Sequence, residues 1–257
     1  MRSTKRILAG ALGWLIRDSV VENDQREMAH CWYGYGRWDA PYWFIGPEPG
    51  QARNEHNDLR QRIEAWRDMG GGELIDCRAF HDRIRETRWH REKPRLQPTW
   101  RRLLLLLMEY LGRPWDKDSL RSYQRDEWGS LDGETCVIEL SALAANSFKV
   151  PRDRELFREA RIEHLRQRRS KYKPQLMVMY GLREKEHWEK IAGGLFGREG
   201  GIQTLDCTIF AVTRHPNTRG LTDTDWKGLA EALHRALQHS FINIASQCRT
   251  SPLSENA

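Results

Sequence analysis

Four short apolar runs, each bounded by turn residues, punctuate the chain: Tyr42–Ile45, Thr135–Leu140, Leu176–Tyr180 and Thr208–Val212. Their length and their lack of polar alternation predict strands. Between them the period becomes helical. Thr99–Leu111 carries Leu103 to Leu107 and Met108, and it follows Pro98, a good helix start. Asp153–Arg169 is arginine-rich and amphipathic, Arg183–Ile191 is shorter, and Thr222–His239 opens with Thr and Asp in capping positions. Strands alternating with helices predict an α/β fold, a three-layer α/β/α sandwich around a central, mainly parallel, four-stranded sheet. The expected organisation is a helical extension over residues 1–40, the α/β domain over 41–240, and a polar tail over 241–257 that frays from about Asn243. No internal repeat and no Gly/Ser or Pro linker divides the chain further. In such sheets ligands sit at the carboxyl ends of the strands, so the loops that follow the four runs are where chemistry is sought.

Composition narrows the classes. The chain has 257 residues, with 42 basic and 36 acidic side chains and a net charge of +6. Nine of the basic residues are lysine and 33 are arginine, and a guanidinium grips phosphate bidentately and stacks on bases as an ammonium does not. This permits nucleic-acid binding without establishing it, since most of these charges have acids nearby. A hydrophobic fraction of 39% with eleven tryptophans supports a packed core and excludes global disorder. No apolar run reaches the roughly 18 residues of a membrane-spanning helix, so no membrane partner is expected. Ile7 to Ile16 imitates a signal peptide, but two glycines interrupt it and Arg17-Asp18 follows without a cleavage site, so an amphipathic helix is expected there. Cys31, Cys77, Cys136, Cys207 and Cys248 form no C-x-x-C pair, which argues against a disulfide framework and against a metal site with close-spaced ligands. Reduced thiols in a cytoplasmic protein fit this pattern, and no metal or cofactor is expected.

Two loops stand out. Tyr42–Ile45 runs into Gly46-Pro47-Glu48-Pro49-Gly50, and Phe210–Arg214 runs into His215-Pro216-Asn217-Thr218-Arg219-Gly220. Each is a strand entering a Pro/Gly turn that presents an ionisable residue, Glu48 or His215. Proline restricts φ and glycine permits close backbone approach, so either side chain is rigidly placed. Taken singly, each turn also reads as an ordinary solvated loop. By contrast, Gly193-Gly194-Leu195-Phe196-Gly197 lacks a Walker lysine and reads as a plain loop.

Together the two turns resemble the paired motifs of the uracil-DNA glycosylase superfamily, a G-x-(D/N/E/A)-P-(Y/G) loop after the first core strand and an H-P-S-P-(L/R)-type loop after the last. Here they read GPEPG at Gly46–Gly50 and HPNTRG at His215–Gly220. Val137–Ser141 is similar to the strand that carries the base-reading residue, and Met177–Gly181 to the hydrophobic strand preceding the last motif. The resemblance covers roughly residues 40 to 240. It implies a uracil-DNA glycosylase-like domain over those residues. A base inside a duplex must be flipped into a pocket before its sugar carbon is accessible. Cleaving the N-glycosidic bond then builds positive charge on the sugar and negative charge on the departing base. Glu48 is the candidate for stabilising the cation and orienting water, and His215 for donating to the base oxygen.

Departures from the motifs bear on the substrate. Gly46, Pro47 and Gly50 frame the expected base site, and Gly50 stands where strict uracil enzymes have a tyrosine that excludes 5-substituted bases. Either the space stays open to a bulkier base or another side chain fills it. The base-reading position, an asparagine in uracil enzymes, aligns with Glu139; Ser141 is next on the same face and Asn146 is the fallback. A carboxylate accepts from an exocyclic amino group, which favours a cytosine-type base. Phe80 or Trp66 is expected to stack on the base, or else to be core. Arg219 occupies the wedge position, and Asn217 binds a phosphate or caps the following helix. Arg166, Arg168, Arg169, Lys171 and Lys173 are the densest part of two basic clusters, Arg83–Arg102 and Arg152–Lys173, that read as phosphate contacts or as a solvated helix face.

The expectation is a monomeric, monofunctional DNA glycosylase acting on a 5-substituted pyrimidine, with glucosylated hydroxymethylcytosine of phage DNA favoured and a defence role. No lysine lies in either motif loop, which disfavours a Schiff-base lyase. The alternatives are excision of uracil or a deaminated base in repair, and a non-catalytic DNA-binding module of the same fold. A nuclease is weaker still, for want of clustered carboxylates with a lysine partner.

Overall fold

The structure, a computed structural model, describes residues 23–50, 55–143 and 151–249. Among these, seven strands form one sheet: β1 (Gly34–Tyr35), β2 (Tyr42–Gly46), β3 (Leu74–Ile75), β4 (Thr135–Glu139), β5 (Leu176–Tyr180), β6 (Gly201–Leu205) and β7 (Thr208–Thr213). Their spatial order is β3-β1-β4-β2-β5-β7-β6. The four strands expected from sequence, β2, β4, β5 and β7, make a contiguous parallel block in the order β4-β2-β5-β7. Each ends within one residue of its expected limit. All four are buried along their length apart from the last residue of β7, as parallel strands covered on both faces must be.

The sheet is nevertheless wider than four strands. β1 and β3 are two residues long, too short to carry any hydrophobic period, and β6 is a half-exposed edge strand. β1 runs antiparallel to β4, and β6 antiparallel to β7, so the sheet is mixed.

Helices cover both faces: α1 (residues 23–31), α2 (Glu55–Asp68), α3 (Cys77–Arg83), α4 (Pro98–Tyr110), α5 (Lys117–Asp126), α6 (Pro151–Tyr172), α7 (Lys185–Ala192) and α8 (Asp223–Arg249). On one face Phe80, Leu103, Leu107 and Trp226 pack with Phe44, Val178 and Ala211. On the other, Ile162 and Leu165 of α6 and Trp188 and Ile191 of α7 pack with Trp43, Ile45, Met179 and Phe210. This gives helices, sheet and helices in layers, an α/β fold.

Local chemistry sets the helix ends. Gln97 caps α4, its side-chain oxygen accepting from the Trp100 N–H at 2.7 Å, and Pro98 needs no donor partner at the first turn. Asp76 caps α3 by accepting from the Ala79 N–H at 2.8 Å. α2, α3 and α5 escape the sequence reading because they are short or carry few apolar positions. α8 continues past the expected end at His239 to Arg249, through the segment expected to fray. Residues ahead of 41 join the core, with Met28, Ala29, Trp32 and Tyr35 in the same cluster as Phe44. The expected helix over Ile7–Ile16 lies outside the described residues, as does Asn146.

One buried cation ties this N-terminal segment to the sheet. Arg161 of α6 is 1% exposed. It donates from Nε to the Leu140 carbonyl at 2.7 Å and from Nη2 to that of Glu139 at 2.7 Å. Nη1 reaches the carbonyls of Ala29 at 3.0 Å and Trp32 at 2.8 Å. The guanidinium also lies over the Tyr33 ring, 4.0 Å from its centroid. Burial lowers the Arg161 pKa to about 10, so the group stays charged at neutral pH. Arg161→Met leaves four buried carbonyls without their donor, and we expect it to cost about 3–5 kcal/mol in urea unfolding. Arg161→Lys keeps the charge but lacks the planar fork, and should recover only part of that loss.

Candidate active site

The two motif loops leave the carboxyl end of the parallel block and meet across β5. Pro47 and Glu48 from the β2 loop, Gly181 after β5, and His215, Asn217 and Thr218 after β7 line one pocket of about 650 Å³. Glu48 and His215 therefore share a cavity, at the sheet end where α/β folds bind ligands.

Backbone contacts fix the Glu48 loop. The Leu140 N–H donates to the Gly46 carbonyl at 2.8 Å and the Ser141 N–H to that of Pro47 at 3.0 Å, extending the β2–β4 ladder into the turn. Gly46 is required there by packing, because a Cβ would sit 2.3 Å from the Tyr180 hydroxyl. The His215 loop is held from α4. Arg102 donates to the carbonyl of Pro216 and, at 3.0 Å, to that of Leu221. Asn217 donates from Nδ2 to Thr99 Oγ1 at 2.8 Å. Its side chain thus ties the loop to α4, a role different from the phosphate contact or helix cap expected for it.

His215 stands edge-on to the Tyr180 ring, with centroids 5.4 Å apart. Burial lowers its pKa from the ordinary histidine value, which favours the neutral ring. The Asn217 N–H donates to Nδ1 at 3.1 Å. The neutral ring must then carry its proton on Nε2, which makes that atom a hydrogen-bond donor.

Glu139 ends β4, opposite Gly46 in register. It is 9% exposed, and its Oε2 has no hydrogen-bond partner among the described residues. Burial and then the neighbouring Glu48 push its pKa up to about 8, while Arg161 and Arg62 pull the other way. Taking a carboxylate out of water costs more than these cations return, so the carboxyl is protonated at neutral pH. The same burial, with Glu139 nearby, drives the Tyr180 phenol well above its ordinary value.

The remaining candidates divide. Gly50 is exposed, and a Cβ there would meet nothing within 4 Å, so no described side chain fills the space beside it. Ser141 contributes the backbone contact above and is buried. Arg219 is exposed on the same loop as His215. Phe80 is fully buried, stacked on Trp32 at 5.8 Å, and does not line the pocket. Trp66 is equally buried, its indole N–H donating to the Gly72 carbonyl at 2.9 Å. Both are core residues in this conformation.

The α6 cluster is not brought to the pocket. α6 runs back along the sheet, so its carboxyl end, with Arg166 to Lys173, lies where β5 begins, at the end of the parallel block opposite the pocket. Several are committed there: Arg166 pairs with Glu163 at 2.9 Å and Arg168 with Glu73 at 2.8 Å. Arg169 donates to the Ala192 carbonyl at 2.7 Å, and Lys171 lies over the Tyr172 ring at 4.8 Å. From the other cluster, Arg101 pairs with Asp223 at 2.5 Å and Arg102 is the loop clamp.

Tyr180, Arg62, Thr99 and Arg102 were not anticipated at the site. Tyr180 had a signal, an aromatic residue at the end of a central strand just before glycine; the others act through contacts distant in sequence. Compared with known proteins, the chain matches no family model and no curated relative. Among the described residues no helix is long and apolar enough to cross a membrane.

The raised Glu139 pKa has a sign that stability measurements can read. Below about pH 4.5, the ordinary value, folded and unfolded chains both hold the proton. Between there and about pH 8 the unfolded chain releases a proton that the native state retains, so native stability falls as pH rises. Glu139→Gln removes this titration. Its stability relative to the parent should therefore grow between pH 5 and pH 8, by on the order of a few kcal/mol in chemical denaturation. A pH-independent difference contradicts the assignment.

Proposed function

We propose that the chain is a divergent member of the uracil-DNA glycosylase superfamily and a monofunctional DNA glycosylase. The observation that carries this reading is that Glu48 and His215, from motif loops far apart in sequence, line one pocket at the carboxyl end of a parallel sheet. In the proposed reaction the C1′–N1 bond breaks and its electron pair leaves with the base, placing negative charge on the base O2. The Nε2–H of His215 donates to that oxygen. The Glu48 carboxylate faces the developing sugar cation and orients the water that attacks C1′, whose proton passes to Glu48 or to solvent. Arg219, exposed beside His215, fits the wedge that replaces the extruded base.

The preferred substrate is a 5-substituted cytosine, with glucosylated hydroxymethylcytosine of phage DNA first and a defence role following from it. Two features support this. Among the described residues nothing lies within 4 Å of a Cβ built on Gly50. A protonated Glu139 carboxyl presents one donor and one acceptor, matching N3 and the N4 amino group of cytosine. Ionised Glu139 could only accept; the neutral acid offers the donor–acceptor pair of an amide, as asparagine does in uracil enzymes. It therefore also fits the N3–H and O4 of uracil, and the Gly50 side admits a 5-substituent without excluding uracil.

Oligonucleotides carrying uracil, hypoxanthine, hydroxymethylcytosine or its glucosylated form, incubated with the protein and then treated with alkali, test this reading. Strand breaks are expected at the glucosylated base. Glu48→Gln and His215→Ala should each slow the reaction on the order of 10²-fold or more while DNA binding persists. Breaks at uracil and none at modified cytosines would overturn the substrate assignment. DNA binding without an abasic product on any substrate would favour the non-catalytic module.

A further inference from the structure

Beneath the α3–α4 face, away from the pocket lining, three buried side chains with metal-ligating atoms converge. Cys77 and His81 lie one turn apart on α3, on the same helix face, and His90 folds back onto them after the short 3₁₀ turn Thr87–Trp89. Cys77 Sγ is 3.5 Å from His81 Nδ1 and 3.8 Å from His90 Nε2. One ligand atom from each residue lies within 4.8 Å of the other two. Zn–S and Zn–N bonds of about 2.3 and 2.1 Å in a tetrahedron place a sulfur and a nitrogen ligand about 3.6 Å apart. The cluster already has nearly that spacing. A thiol offers one proton and can satisfy only one of the two imidazoles, so hydrogen bonding alone does not account for the convergence.

We propose that Cys77, His81 and His90 bind a zinc ion as a staple that joins α3 to the segment ahead of α4. The donor set, one sulfur and two imidazoles, suits a borderline-soft divalent ion. On binding, the Cys77 thiol gives its proton to solvent and the thiolate bonds the metal. His90 offers Nε2 while its Nδ1 faces the Arg125 carbonyl at 3.5 Å, the outer-shell arrangement common to zinc-bound histidines. His81 engages through Nδ1, the atom 3.5 Å from Cys77 Sγ, in exchange for its 2.7 Å contact to the Cys77 carbonyl. The Trp100 ring of α4 lies 5.5 Å from that of His81 and 6.0 Å from that of His90. The staple therefore backs the start of α4, the helix whose Thr99 and Arg102 hold the His215 loop. The sequence hides the site because C-x-x-x-H followed by a distant histidine is not one of the close-spaced cysteine patterns.

Metal content of the full chain purified from zinc-supplemented cells, and the absorption spectrum of the chain after exchange into cobalt(II), test the proposal without reference to activity. One zinc per chain is expected, together with a thiolate-to-cobalt charge-transfer band and the intense visible bands of tetrahedral cobalt. Cys77→Ser should abolish the charge-transfer band, and His90→Ala should lower zinc content well below one per chain. Substoichiometric zinc in the parent with no charge-transfer band overturns the site. So does full zinc retention in both variants, which would put the ion elsewhere. If a variant fails to fold, the parent's cobalt spectrum decides alone.

Discussion

The architecture of the candidate site depends on one buried guanidinium. Arg161 reaches from α6 through the end of the sheet to four backbone carbonyls, two at the end of β4 and two in the N-terminal segment. A buried charge is costly unless every polar neighbour is placed to meet it, so this contact constrains its surroundings more than an apolar side chain of the same size would. It fixes where β4 stops. Immediately beyond that point, the Leu140 and Ser141 N–H groups capture the carbonyls of Gly46 and Pro47 and thereby aim Glu48.

From that fixed end the site follows as a row across one face of the sheet. Glu139 stands opposite Gly46, whose missing side chain admits the Tyr180 hydroxyl, and Tyr180 in turn meets the His215 ring. Burial keeps Glu139 protonated and favours a neutral His215, so hydrogen-bond donors stand near Glu48 in this row. That polarity suits a reaction in which negative charge develops on one fragment and positive charge on the other. The His215 half of the row is braced separately, by Arg102 and Thr99 of α4, so the two halves of the pocket have independent supports.

Much of the parallel block was legible in the sequence, for a definite reason. β2, β4, β5 and β7 are buried on both faces, so each reads as an unbroken apolar run closed by a turn. β1 and β3 are too short for any pattern, and β6 lies at an edge where polar residues are tolerated. The GPEPG and HPNTRG loops were legible because proline and glycine at strand ends restrict the backbone locally. Residues whose role depends on tertiary approach were not. Phe80 reads more readily as core than as a stacking wall, and its stacking on Trp32 bears out the core reading. The direction of α6, which carries the Arg166–Lys173 charges to the end of the sheet opposite the pocket, has no local signal either. The tie between the Asn217 amide and Thr99 joins residues too far apart in sequence to leave a local pattern.

In the proposed function Glu48 and His215 act together on a nucleotide drawn out of DNA. A crystal structure of Glu48→Gln bound to a duplex containing a glucosylated hydroxymethylcytosine is the decisive measurement. The target base should be found in the pocket, its O2 within hydrogen-bond distance of His215 Nε2 and its N3–N4 edge on Glu139. A duplex with every base stacked, lying instead across the Arg166–Lys173 end of the sheet, would contradict that role.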